Sequence, residues 1–248
     1  MFVRKVYYLL SYYLTLFLFG ACGLALNLAS ILAAGWPATD RTERFFQRLI
    51  HRHFAFFMGW LRFTGLARVH FHGFDRLAPG GQVLAANHPG LMDITYLLAR
   101  VPEAVCIFKP AIRANPVLGG AARRAGYLAN DGGHDLVRQV AAKIAAGHIL
   151  IIFPEGTRTP PGTALLPLKP GFVLMARRAG VPIQLVRITW SANILAKGQT
   201  WWKLQDFPSE VHVTTGPRLH VDPADDAAAV TARIEAWFRS PAHSPTEL

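Results

Sequence analysis

The stretch QVLAANHPGLMDITYLLARVPEAVCIF, residues 82–108, decides the fold. Each end is a short, nearly continuous apolar run, 82–87 and 104–108. Strands buried on both faces read this way. The segment between them, 90–101, has the length and pattern of a helix. Strand, helix and strand in succession recur outward from here. RVHFHG (68–73) alternates apolar and polar residues as a half-exposed strand does, and HILIIF (148–153) and VPIQLVRITW (181–190) are further apolar runs. Helices are expected over 115–126, 133–146 and 170–180. In the closing segment HVDPADDAAAVTARIEAWF, Asp222 is a candidate N-cap, with Pro223 at the first helical position. The alternation implies an α/β fold with a mostly parallel central sheet flanked by helices.

Composition adds a membrane to this picture. Hydrophobic residues make up 52% of the 248 and charged residues only 17%, with a formal net charge of +11. A basic balance alone fits nucleic acid, an anionic bilayer or an acidic substrate. The apolar bias favours the bilayer, and no helix-turn-helix, zinc-finger or RNP signature supports nucleic acid. The two cysteines, Cys22 and Cys106, are too few and too far apart for a disulfide framework or a cysteine zinc site.

The apolar bias is concentrated at the start. Residues 6–36 carry no charge, and this run of 31 exceeds the roughly 20 residues of one perpendicular span. It is too long for a signal-peptide core. Tyr7, Tyr8, Tyr12 and Tyr13 at one end and Trp36 at the other resemble interfacial belts. A tilted span and a re-entrant hairpin kinked near Gly20–Gly23 or Asn27 both fit. Over 41–64, Phe45, Phe46, Leu49, Ile50, Phe54, Phe57 and Trp60 fall at helical spacing against Arg44, Arg48, Arg52 and Arg62. That pattern reads as an interfacial helix, with a helix packed on the domain core as the alternative. The expected organisation is therefore membrane-embedded or interfacial helices over 1–65, an α/β domain over 66–240 and a flexible tail over 241–248.

Open α/β sheets bind ligands beyond the carboxyl ends of their strands, and two such ends carry unusual chemistry. At the first, His88 follows the strand and Asp93 lies five residues on, with Pro89 suited to the first helical position. Asp93 can hold one imidazole nitrogen and leave the other as a base. The plainer reading is Asn87 as an N-cap and Asp93 as an early-helix charge. At the second, IIFPEGTRTPPG (151–162), a buried-looking strand runs into Glu155, Gly156, Thr157 and Arg158. Glycine admits close backbone approach, and the guanidinium fork suits phosphate. No G-x-S-x-G elbow supplies a protein nucleophile, which leaves a substrate hydroxyl in that role. No H-E-x-x-H or paired-histidine spacing supports a metal. Trp201 and Trp202 read equally as a lipid-dipping or a packed loop.

Four blocks in order, over about residues 80–190, resemble the lysophospholipid acyltransferase family, typified by bacterial 1-acyl-glycerol-3-phosphate acyltransferases. They are Asn87-His88-x4-Asp93; Lys109, Pro116, Gly119 and Gly126 in KPAIRANPVLGGAARRAGYLAND; Phe153 to Arg158; and VPIQLVRI. The resemblance implies a glycerolipid acyltransferase-like fold with an N-terminal membrane-bound helical motif. It implies acyl transfer from acyl-CoA or acyl-carrier protein, as co-substrate, to a lysolipid hydroxyl, with no metal or organic cofactor. His88 would be general base and Asp93 its orienter. Glu155, Gly156, Thr157 and Arg158 would shape the acceptor-phosphate site, with Asn87 and Lys109 in support. The expected setting is a bacterial inner membrane, the catalytic domain facing the cytoplasm. Many members end the second block in an arginine that holds the acceptor phosphate; here Asn130 and Asp131 stand instead. Arg113, Arg123 and Arg124 are candidate substitutes. The acceptor is then lysophosphatidic acid, or another lipid hydroxyl such as that of a lyso-ornithine lipid, a glycolipid or a polyene lipid; the other alternative is a catalytically inactive scaffold that binds anionic lipid.

Overall fold

The computed structural model of the chain describes residues 2–131, 133–191 and 195–241. Of the tail 241–248, all but Pro241 lies outside them. The central sheet has seven strands in the order β1-β7-β6-β2-β5-β3-β4. Five of them, β2 (Gln82–Ala86), β3 (Ala104–Phe108), β4 (Leu128–Ala129), β5 (Ile149–Ile152) and β6 (Ile183–Trp190), are mutually parallel. The edge pair β1 (Ala67–His72) and β7 (Ser209–Leu219) is parallel within itself and antiparallel to β6. β4 and β7 are additional to the expected strands. β4 has two residues, and in β7 the half-buried His212 and Thr214 alternate with the buried Val211 and Val213, as in a strand covered on one face.

The central strands are apolar on both faces because both are covered. Leu84 and Ala86 point into one core with Phe46, Ile50 and Phe54 of α2 (Asp40–Phe63) and Tyr96 and Leu97 of α3 (Asp93–Arg100). Val83 and Ala85 point into the other with Val140 and Ile144 of α5 (Gly133–Ala145), Phe172 and Val173 of α6 (Gly171–Ala179) and Ile234 of α7 (Ala227–Arg239). The helix α2 thus uses its apolar face as a layer over the sheet. Two arginines of its expected free basic face are engaged, Arg44 and Arg48 binding Glu103 at 2.5 and 2.6 Å. Lys143 of α5 binds Glu43 at 2.5 Å.

α1 (Phe2–Leu32) is one continuous helix of 31 residues, without the kink considered above. Its glycine and asparagine serve packing instead. A Cβ on Gly23 would lie 2.1 Å from Val117, and Asn27 Oδ1 accepts from Gly120 N at 2.7 Å at the start of α4 (Gly119–Arg124). Arg124 donates to the carbonyls of Ala33 and Trp36 just past the helix C-terminus. The buried positions are Ser11, Tyr12, Thr15, Gly23, Leu26 and Ser30, a mostly small or polar stripe. Leu10, Leu14, Phe17, Leu24, Leu28, Ile31 and Leu32 are exposed. This inverts the polarity of a water-facing helix. The helix is long and apolar enough to cross a bilayer, yet its buried stripe runs from Ser11 to Ser30, roughly 28 Å at 1.5 Å per residue, along the domain.

α7 begins later than expected. Asp226, not Asp222, is its N-cap and accepts from Ala228 N and Ala229 N. Asp222 closes a turn with Asp225 instead, Asp225 Oδ2 accepting its N–H at 2.9 Å.

Candidate active site

Parallel strands bring their carboxyl ends to one edge, so residues far apart in sequence meet there. β2 and β5 are neighbours; the segments after them, 87–93 and 153–159, therefore lie side by side. Asn87 extends β2 toward β6, its amide exchanging hydrogen bonds with the backbone of Ile188 at 2.7 and 2.9 Å. It fixes the strand end and is no helix N-cap.

His88 and Asp93 are in contact, Nδ1 to Oδ2 at 2.8 Å. The helix does not start at Pro89, because residues 88–92 form a turn wound around the Asp93 carboxyl. Gly90 N donates to Oδ2 at 2.7 Å and the Trp190 indole donates to Oδ1 at 3.2 Å. Asp93 is fully buried. Burial pushes its carboxyl above the usual carboxylate range, opposed by hydrogen bonds from His88, Gly90 and Trp190. A carboxylate receiving donors on both oxygens fixes the imidazole as the Nδ1–H tautomer. Nε2, across the ring, then carries the lone pair. Phe153 stacks on the ring with centroids 4.0 Å apart and planes 16° from parallel. The ring is held by a hydrogen bond at one edge and an aromatic face, which limits its rotation.

Glu155, expected to shape the acceptor-phosphate site, is buried and held by protein donors. It is 3% exposed. Oε1 accepts from His88 N at 2.9 Å, and Oε2 accepts from Thr159 Oγ1 at 2.8 Å and Leu166 N at 2.9 Å. Thr159 N donates in turn to His88 O at 2.8 Å. Glu155 therefore ties the second strand end to the histidine backbone. Gly156 turns with φ +71°, a left-handed conformation that favours glycine. Lys169 lies against it, Nζ 3.1 Å from where a Cβ would stand. Thr157 is half-buried, and Lys109 is exposed at the end of β3. Arg158, half-buried, donates to Leu195 O at 2.8 Å.

On the far side of β3, Arg113 and Asp131 form an ion pair at 2.9 Å. The repulsion expected of Asp131 toward a phosphate is offset by this partner. Arg123 donates to the Arg113 carbonyl at 2.5 Å. Arg124 is committed to the end of α1. Trp190, Phe153 in its stacking role and Lys169 were not among the expected site residues. Only the position of Trp190 at the end of a strand neighbouring β2 hinted at its place. Among the described residues, the trio spaced for a metal is Asp40, Glu43 and His148, at the contact of α2 with β5. Its members are already paired with Arg44, Lys143 and Gln47.

The family model described as Acyltransferase matches residues 68–189, which include both strand ends. The chain is 31% identical over 128 residues to 1-acyl-sn-glycerol-3-phosphate acyltransferase of Helicobacter pylori, covering 49% of this chain and 54% of that protein. It is 36% identical over 109 residues to the lyso-ornithine lipid O-acyltransferase of Pseudomonas aeruginosa, covering 42% of each. The chain thus spans about half the length of the curated relatives it matches. In fold it is similar to the 1-acyl-sn-glycerophosphate (LPA) acyltransferase PlsC from Thermotoga maritima. The TM-score is 0.70 at 21% identity, over 98% of this chain and 99% of that one. With the ordered blocks lying together at the carboxyl edge of such a sheet, the chain belongs to the lysophospholipid acyltransferase family.

Proposed function

We propose that the protein is a membrane-associated O-acyltransferase that moves an acyl chain from acyl-CoA or acyl-carrier protein to a lysophospholipid hydroxyl, with 1-acyl-glycerol-3-phosphate as acceptor and phosphatidic acid as product. The observation that carries this is the His88–Asp93 contact at 2.8 Å, which leaves Nε2 as the base. His88 takes the acceptor proton as the hydroxyl oxygen attacks the thioester carbonyl. The tetrahedral intermediate collapses with loss of the thiolate, which receives the proton back from the imidazolium; an ester forms and a thioester breaks. Asp93 holds the tautomer and stabilises the imidazolium. Arg123 and Lys169 are the cations supporting an anionic headgroup, with Arg158 bracing the loop beside it. The inverted polarity of α1 supports membrane attachment. A domain on the cytoplasmic face of a bacterial inner membrane would have access to a soluble acyl thioester.

One observation favours a second acceptor. The Arg113–Asp131 pair offers both signs of charge, which suits a zwitterionic headgroup such as that of a lyso-ornithine lipid. The test is a panel of acceptors with labelled acyl-CoA and labelled acyl-carrier protein. Preference for lysophosphatidic acid supports the first acceptor. Preference for lyso-ornithine lipid, lost in Asp131→Ala, supports the second. No labelled lipid from any acceptor contradicts both.

A further inference from the structure

Besides α1, the structure exposes a second apolar feature that no site residue explains. Trp201 and Trp202 stand 57% and 54% exposed, beside exposed Leu204. Their rings meet edge to face with centroids 5.6 Å apart. Two adjacent solvent-exposed tryptophans are costly in water and common where a protein meets headgroups. The loop that carries them is ordered by contacts on both sides. The Tyr12 hydroxyl donates to Trp201 O, and Tyr13 donates to Trp202 O at 2.7 Å. Phe207 packs on Tyr8 and Tyr12. Inside the loop, the Gln205 amide donates to Lys203 O at 2.6 Å, and its Oε1 accepts from Leu195 N at 3.2 Å. The backbone at Trp201 and Trp202 is thus fastened to Tyr12 and Tyr13 of α1, the helix that also exposes Leu14 and Phe17.

The base of the same loop reaches the active-site edge. Leu195 O accepts from Arg158 at 2.8 Å and from Leu91 N at 3.3 Å. Arg158 belongs to the turn after β5 and Leu91 to the turn after His88. One short segment thus joins an exposed tryptophan pair, the membrane helix and both strand-end motifs.

We propose that the 195–208 loop is a second membrane contact, in which Trp201 and Trp202 enter the headgroup region of an anionic bilayer and set the height of the active-site edge above it. Continuity with α1 selects lipid as the partner. The exposed Lys197 and Lys203 supply charge that complements anionic lipid. This rests on membrane association and not on the identity of the acceptor.

The test places an environment-sensitive fluorophore on Trp202→Cys, and separately on Leu204→Cys, in a Cys22→Ala background. Cys106 is buried, with its thiol pKa pushed up by burial, and stays unlabelled. Arg138→Cys, on the exposed face of α5, is the control. The full-length protein is reconstituted in vesicles of phosphatidylglycerol and phosphatidylethanolamine with brominated acyl chains. The expected result is a blue shift and loss of most fluorescence at 202 and 204, with the control unchanged. The proposal is overturned if labels at 202 and 204 are quenched by aqueous iodide as fully as the control. It is equally overturned if they are shielded from iodide without quenching by the lipid bromines, which indicates a protein partner. Neither readout depends on acyl transfer.

Discussion

Glu155 and Asp93 show how two buried carboxylates divide the work at one site. Asp93 receives the imidazole N–H and holds the ring; Glu155 receives the backbone N–H of the same residue and holds the chain beneath it. A glutamate that touches three protein donors has little left to offer a phosphate. Glu155→Gln presents an amide N–H₂ where a donor now points, leaving a buried group unsatisfied. The expected cost is about 1–3 kcal/mol, with Tm falling by roughly 2–4 °C per kcal/mol in a chain this long. Turnover should fall as His88 shifts, with acceptor KM little changed. A raised acceptor KM at unchanged Tm would return Glu155 to the acceptor site. Both residues were visible in sequence because each belongs to a short local motif. Their division of labour was not, since it depends on the adjacency of β2 and β5.

At the level of elements, two junctions carry measurable consequences for stability. The turn Pro110–Ala114 carries Arg113 and packs against the first residue of α4, where a Cβ on Gly119 would lie 2.4 Å from Arg113 O and 2.7 Å from Ile112 O. Backbone oxygens cannot rotate away as a side chain can. Gly119→Ala should therefore destabilise by about 1–3 kcal/mol, read by thermal melting in detergent; an unchanged Tm would show that the turn gives way freely. The other junction is the exposed face of β1 and β7, where His70, His212 and His72 stack with centroids 4.9 and 5.5 Å apart. Partial burial, then the neighbouring His70 and His72, push the His212 pKa below its ordinary 6.5, with Glu210 opposing. Below that value the unfolded chain takes up a proton that the folded chain resists, so stability is present above about pH 6.5 and is lost as pH falls through the lowered folded pKa. His212→Gln should flatten the loss in urea midpoint between neutral and mildly acid pH. An equal loss in variant and wild type would remove His212 as its source. β7 was not read from the sequence, where polar residues interrupt Val211 and Val213, and neither was its antiparallel pairing with β6. For α7, Asp222, Asp225 and Asp226 all suit an N-cap by type, and only the turn they form picks Asp226.

Over the whole molecule, the α/β architecture was legible because doubly covered strands give nearly continuous apolar runs. The path of α1 was not. Length and lack of charge say that a helix can cross a bilayer. Whether it lies along a domain depends on Gly23 meeting Val117, Asn27 meeting Gly120 and Arg124 closing the helix end. Those partners are more than 85 residues away. The small or polar stripe facing inward, with leucine and phenylalanine outward, is the arrangement of a helix whose outer solvent is lipid. The proposed reaction between a thioester and an alcohol is of the kind that gains most from proximity and orientation.

In the proposed mechanism His88 removes the acceptor proton. The most direct measurement is transfer of labelled acyl chain from acyl-CoA or acyl-carrier protein to the preferred lysolipid, comparing wild type with His88→Ala at matched Tm and membrane content. Turnover should fall on the order of 10²–10⁴-fold. Turnover in His88→Ala within a few-fold of wild type would contradict it.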